Sequence, residues 1–270
     1  MTNAIVEVRD ISKCYGGATR AGSRGHSKHH KHTESMTRAL DHVTFTVAPG
    51  EFVAIMGPSG SGKSTLLNCL ATIDVPTNGS VIIGGKNVVG MSSREVARFR
   101  REQLGFIFQD SNLLDTLTIR ENIALALTLT HVPSSEVVPR VNALAQQLGI
   151  AETLNRYPYE VSGGQKQRAA AARAVITKPH LVLADEPTGA LDTRSARDLM
   201  GTLEFLHKGG TTILMVTHDA KVASYCDRVL FIRDGKLWGQ MGKRDDERKE
   251  FYSRIVVTAA QLEEGEFGDA

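Results

Sequence analysis

One eight-residue run constrains this chain more than any other feature. Gly57, Pro58, Ser59, Gly60, Ser61, Gly62, Lys63 and Ser64 fit the pattern GxxxxGK[ST]. The run follows the apolar stretch 51–56 and precedes a helical pattern over 65–71, beginning at Thr65. Glycines let backbone N–H groups turn inward around a phosphate, and a following helix adds about half a positive charge at its N-terminus. The lysine can then reach the β- and γ-phosphates of a nucleotide, and the hydroxyl after it can ligate Mg²⁺. A glycine-rich turn that merely contains Lys-Ser needs neither a strand before it nor a helix after it. The context therefore predicts a phosphate-binding loop in an α/β domain.

The rest of the chain agrees with that fold class. Short β-branched runs at 4–8, 43–47 and 51–56 read as strands, with Pro49 and Gly50 turning between the last two. From Gly57 onward strands and helices alternate, as in a mostly parallel sheet. Ser92 and Glu95 have capping-box spacing and start a helix through Arg101. Residues 110–178 depart from the alternation: 119–130, 139–148 and 164–177 read as helices, stopped by Gly149 and Pro179. This block reads as a helical subdomain inserted into the α/β core. Strands at 181–184, 212–216 and 228–232, with a helix over 195–206, complete the pattern, and 240–270 reads as a C-terminal extension.

Composition narrows the setting. The chain has 270 residues, 41% of them apolar and 23% charged, a globular balance in a chain long enough for a sizeable core. Net charge is +2, but residues 16–38 alone hold five cations against Glu34. The remainder is therefore slightly acidic, which argues against a nucleic-acid-binding face. With only Ala18, Ala21 and Met36 apolar, 16–38 reads as an exposed, disordered loop between two strands. It packs His26, His29, His30 and His32 into seven residues, which reads either as a transition-metal site or as a solvated basic loop. Cys14, Cys69 and Cys226 are odd in number and widely spaced, as expected of core thiols in a reducing cytosol. No signal peptide or apolar run of bilayer length is evident, so a soluble protein is expected.

Candidate chemistry gathers at strand ends. Residues 181–184 are followed by Asp185 and Glu186, where ligands of open α/β sheets bind. Asp185 is placed to hold Mg²⁺ through water, and Glu186 to accept a proton from an attacking water. Gln109 follows the strand-like 104–108, His218 follows 213–217, and Tyr15 is an aromatic able to stack on a base; each has an ordinary structural reading as well. Ser162, Gly163, Gly164 and Gln165 precede a helix and form a second anion-binding device. One nucleotide does not need two such cradles from one chain.

The order of the Gly57 loop, Gln109, Ser162-Gly-Gly-Gln165, Asp185-Glu186, Asp192 and His218 resembles the ATP-binding cassette ATPases over nearly the whole chain. The resemblance implies an α/β P-loop core with an N-terminal antiparallel β subdomain and an inserted helical subdomain, in one domain that binds ATP and Mg²⁺ and hydrolyses ATP. It implies a head-to-tail homodimer in which Ser162 to Gln165 of one copy close on the γ-phosphate held by the other. Gln109 would sense Mg²⁺, Asp192 would communicate across the dimer, His218 would contact the γ-phosphate, and Tyr15 would stack on adenine. Chromosome-maintenance members are disfavoured, because Gln109 and Ser162 are 53 positions apart, too few for a long coiled coil. Translation-associated members carry two cassettes, and this chain has one such loop.

Finer segments narrow the resemblance. Residues 40–45, 106–109 and 183–192 look like lipoprotein-release and macrolide-export cassettes. Residues 71–77, 109–118, 157–162, 215–220 and 251–255 look more like the bacitracin-type peptide-resistance branch. That branch implies a membrane permease partner, a link through it to a sensor histidine kinase, no nucleic acid, and a cytoplasmic position at the inner face of the membrane. Residues 111–118, with Leu113, Leu114 and Leu117, are the expected docking surface.

Overall fold

The structure, a computed structural model, describes residues 4–16 and 36–264. Most of the 16–38 insertion, with its four clustered histidines, lies outside the described residues.

Four strands form an antiparallel sheet in the order β2 (Thr37–Val47), β1 (Val6–Tyr15), β4 (Asn78–Ile83) and β5 (Lys86–Asn87). The second sheet has the order β10 (Lys236–Gly242), β9 (Arg228–Arg233), β3 (Phe52–Met56), β8 (Ile213–Val216), β7 (Leu181–Asp185) and β6 (Leu104–Ile107). All its neighbours are parallel except the edge pair β9–β10. Every residue of β3 and β8 is buried, as expected of strands covered on both faces.

Strand alternation then sorts the core into two layers. Phe52, Ala54 and Met56 of β3 face the helices α3 (Ile119–Leu129), α4 (Ser134–Gln147), α5 (Gly163–Val175) and α6 (Thr193–Lys208). Val53 and Ile55 face α1 (Lys63–Leu70), α2 (Ser93–Gln103) and the antiparallel sheet. Between Gln109 and β7 the described residues hold α3, α4 and α5 and no strand. Ile123 of α3 and Val141 of α4 share one continuous core with the parallel sheet. A short α7 (Ala220–Ala223) and α8 (Arg248–Glu264) close the fold.

Several boundaries differ from those read in the sequence. The β2 strand begins at Thr37, inside the span assigned to the loop, because Tyr15 pairs with Thr37 and Cys14 with Arg38. Helix α4 begins at Ser134, so Pro139 lies inside it and not at its start. Near the N-terminal end a proline costs one helical hydrogen bond, and the helix tolerates it there. Cys69 and Cys226 are buried as expected, whereas Cys14 is only partly so. Part of the C-terminal extension is a helix that buries Phe251, Ile255 and Leu262.

Candidate functional site

Four adjacent parallel strands, β3, β8, β7 and β6, end at one edge of the sheet. They deliver Gly57, His218, Asp185 with Glu186, and Gln109 to that edge, the usual binding crevice of an open α/β sheet. Two glycines in the loop after β3 are dictated by close approach. A Cβ on Gly57 would stand 2.0 Å from the Ile232 carbonyl oxygen, and one on Gly62 2.4 Å from that of Ala39. Gly62 also has φ 101°, a conformation that side chains disfavour. It caps α1, whose first amides have no intrahelical partner.

Lys63 Nζ donates to the carbonyls of Gly57 at 2.8 Å and Pro58 at 2.7 Å, so its ammonium folds over the loop. Burial pushes the Lys63 amine below its ordinary pKa, against the opposing pull of Glu186 and Asp185. Burial likewise raises the Asp185 carboxyl, helped by the neighbouring Glu186 charge and opposed by Lys63. Ser61 is 3% exposed, and its hydroxyl has no hydrogen-bond partner among the described residues. It lies within the loop, 2.9 Å from where a Gly57 Cβ would stand. Free helix amides, a half-buried ammonium and an unpaired buried hydroxyl fit an oxyanion-rich ligand such as a triphosphate. Ser64, Gln109 and Asp185 offer only oxygen donors, which suits a hard cation such as Mg²⁺.

Glu186 occupies the left-handed region at φ 44°. Its N–H donates to the Val216 carbonyl at 3.0 Å and its carbonyl accepts from Gly189 at 2.9 Å, bending the chain away from β7. The bend brings Glu186 Oε1 to 2.9 Å from His218 Nδ1. Gln109 is exposed, and its side chain packs beside Gly189.

The other residues singled out form a second group. Ser162 caps α5 with a full capping box: Gln165 N–H donates to its hydroxyl at 3.3 Å, and its own N–H donates to Gln165 Oε1 at 2.9 Å. A Cβ on Gly163 would meet Leu191 at 3.3 Å, and one on Gly164 would meet Ser195 at 3.0 Å. Asp192 caps α6 by accepting from the Arg194 and Ser195 amides at 2.9 Å. Ser162 to Gln165 and Asp192 thus sit together. No hydrogen bond or ion pair among the described residues joins them to the Gly57 loop.

Tyr15 ends β1 with its ring 42% exposed and its hydroxyl donating to Asp74. Asp74, Lys13, Gln167 and Ser195 were not singled out as site residues. Gln167 donates to the carbonyls of Phe108 and Gln109, and Ser195 Oγ donates to Asp192. Their signal is three-dimensional, since each acts by bracing a residue distant in sequence or already satisfied by a helix cap. Of the three leucines expected to form a docking surface, only Leu114 is strongly exposed, at 47%. Leu113 packs against the core, and Leu117 is half-buried. Buried Asn122 pins the turn by bonding the Leu114, Leu117 and Thr118 backbone. Among the described residues no helix is long and apolar enough to cross a membrane.

Comparison with known proteins extends this picture. The ABC transporter family model matches residues 40–189. The chain is 47% identical over 260 residues to the bacitracin export ATP-binding protein BceA of Halalkalibacterium halodurans, covering 96% of this chain and 97% of that protein. It is 42% identical to the macrolide export ATP-binding/permease protein MacB of Hyphomonas neptunium, over 93% of this chain but 36% of that protein. Among solved structures it is similar to the dimeric post-hydrolysis state of the ATP-binding cassette MJ0796 bound to ADP and Pi. That match has TM-score 0.75 and 34% identity, over 88% of this chain and 99% of the other. It is also similar to cbiO1 from Clostridium perfringens, part of the ABC transporter complex cbiONQ, with TM-score 0.76 and 25% identity over 96% and 95% of the two chains.

Proposed function

Because this chain belongs to the ABC transporter family, as an ATPase subunit that binds ATP with Mg²⁺, we propose that it powers a permease for resistance to cell-wall-directed peptide antibiotics. The observation that carries this reading is the bacitracin-export relative, matched at 47% identity along 97% of its length. The macrolide-export relative is matched along 36% of its length, and its name places a permease in the same chain. The higher identity to the bacitracin-export relative, 47% against 42%, favours the first. Macrolide export or lipoprotein release is the alternative.

The geometry supports a division of labour at the sheet edge. Amides of the Gly57 loop, with Thr65 behind them, and the Lys63 ammonium hold the phosphates. Ser64, Gln109 and Asp185 hold Mg²⁺, which when bound neutralises phosphate charge and orients the γ-phosphate. Glu186 accepts the proton of the attacking water, and His218, hydrogen-bonded to its carboxylate at 2.9 Å, contacts the γ-phosphate. Tyr15 stacks on adenine. In a head-to-tail homodimer Ser162 to Gln165 of the second copy complete the site, and Asp192, packed beside them, carries its state between the two. The dimeric relative bound to ADP and Pi supports this assembly.

We place the chain on the cytoplasmic face of the membrane through its permease, by way of which a sensor kinase could be engaged. Exposed Leu114 is the anchor for permease docking. The test is genetic and biochemical. Loss of this protein is expected to sensitise cells to bacitracin-like or cationic peptides, and Leu114→Glu to break permease association while ATP binding persists. Unchanged peptide tolerance with blocked lipoprotein release would establish the alternative.

A further inference from the structure

Tyr15 is held by more than its own backbone. Its hydroxyl donates to Asp74 Oδ2 at 2.6 Å. Lys13 lies two residues earlier, on the same face of β1. Its ammonium pairs with Asp74 Oδ1, donates to the Val75 carbonyl at 2.8 Å, and stands 4.9 Å from the Tyr15 ring centroid. Asp74 is fixed in turn. Its Oδ1 accepts the Val75 N–H at 2.8 Å, and the amides of Ile73 and Asp74 donate to the Asn68 carbonyl at 2.9 and 3.1 Å. Asn68 belongs to the last turn of α1. One rigid path therefore runs from Lys63 and Ser64 at the head of α1, through its tail, to the aromatic ring.

We propose that Asp74, assisted by Lys13, is a positioning residue for the base of the nucleotide. It locks the Tyr15 ring in register with α1, with the Lys13 ammonium over one face. The proposal rests on the reading of Tyr15 as the adenine platform. A ring exposed to this degree would otherwise sample rotamers and lose that freedom only when the base arrives. Fixing it beforehand moves the ordering cost into folding, so it strengthens binding of the base and leaves the phosphates untouched. The clamp is suited to the task. Its two charged side chains are 13% and 26% exposed, so the pairing is shielded from water more than a surface ion pair is. Burial, followed by the Asp74 hydrogen bond, raises the Tyr15 phenol and keeps it a donor. Burial raises Asp74 too, but the hydrogen bonds from Lys13 and Tyr15 outweigh it and hold the carboxyl below its ordinary value.

Competition binding on the full chain, with ATP and inorganic tripolyphosphate as separate probes, tests this. Tyr15→Phe and Asp74→Ala are each expected to weaken ATP about 3- to 10-fold, the scale of one hydrogen bond, and to leave tripolyphosphate within about twofold. The double variant is expected to be no weaker than either single one. In a Tyr15→Trp background, which stacks without a hydroxyl, Asp74→Ala is expected to be silent. ATPase assays should show the loss in KM with kcat within about twofold. Tyr15→Phe removes a single oxygen, so it carries the test if Asp74→Ala does not fold. Suppose Tyr15→Ala weakens ATP more than tenfold while Tyr15→Phe and Asp74→Ala each leave it within about twofold; the positioning role is then overturned and stacking stands. Equal losses for tripolyphosphate and ATP in Asp74→Ala would also overturn it. If Tyr15→Ala itself leaves ATP affinity unchanged, the platform reading fails first and the clamp with it.

Discussion

Glu186 combines a left-handed backbone with a functional side chain, and the two are linked. A non-glycine residue at φ 44° costs about 1–3 kcal/mol and persists only where neighbours over-determine it. Here the Val216 carbonyl and the Gly189 amide fix the bend, and the gain is a carboxylate set against His218 at 2.9 Å. As the proposed general base, Glu186→Gln should keep ATP binding yet lower turnover about 10²- to 10⁴-fold, assayed with the permease. Near-normal turnover would remove Glu186 from that role. Asp185 gives the opposite expectation for stability. A carboxyl whose pKa is raised on folding is harder to ionise in the folded chain than in the unfolded one. Stability therefore falls as pH rises from the unfolded value to the folded one, and stays lower at neutral pH. Burial and the Glu186 charge raise Asp185 in this way. Asp185→Asn is expected to melt higher than the parent at pH 7 without Mg²⁺, and the difference should vanish in acid below the ordinary carboxylate range. An Asn variant that melts lower at pH 7 would contradict this electrostatic account.

Helix α8 shows how an element can be hidden by its own composition. Its charged residues mask the spacing of Phe251, Ile255 and Leu262, which lie on one buried face against α7 and β9. Arg233 ties its far end by donating to the Leu262 carbonyl at 2.7 Å, and Arg248 lies 4.3 Å from the Tyr225 ring centroid. Phe251→Ala is expected to destabilise the chain by about 3–5 kcal/mol in denaturant unfolding, the scale for truncating a buried aromatic. A loss under about 1 kcal/mol would mean that α8 is only loosely applied. Elements with strong local chemistry were legible in the sequence. The Gly57 loop, buried β7 and β8, and the Ser92–Glu95 capping box of α2 all form where their residues dictate. The unread elements depend on distant partners. β4 and β5 carry Asn78, Gly79 and Asn87, poor strand formers that pair only because β1 offers an edge to β4 and β4 one to β5. β10 has two glycines and is held by β9. The Asp74–Lys13–Tyr15 contact was invisible for the same reason, since it joins residues 59 apart in sequence.

At the scale of the molecule, the residues with phosphate chemistry are divided between two places that the fold keeps apart. Lys63, Asp185, Glu186 and His218 share the sheet edge: the charges of Lys63, Asp185 and Glu186 oppose or reinforce one another, and His218 hydrogen-bonds Glu186. Ser162 to Gln165 instead pack against Leu191 and Ser195, with Ser162 and Gly163 exposed. Both groups are proposed as anion-binding devices, and a single chain needs only one to hold a triphosphate. A second copy, turned head to tail, would bring each Ser162 group over the other's Gly57 loop, so that every nucleotide touches two chains. This arrangement makes a prediction that no monomeric site shares. Lys63→Ala removes the phosphate ammonium and Ser162→Arg blocks the opposing cradle, so neither variant alone should hydrolyse ATP. Mixed in equal amounts with the permease, they should recover up to about a quarter of parental turnover. Random pairing makes half the dimers mixed, and each mixed dimer has one intact site of two. Glu186→Gln at saturating ATP should also elute as a dimer in sizing. If the mixture stays inactive while the parental dimer forms, the two groups do not act across the pair. A monomer at saturating ATP would leave Ser162 to Gln165 without a nucleotide to close upon.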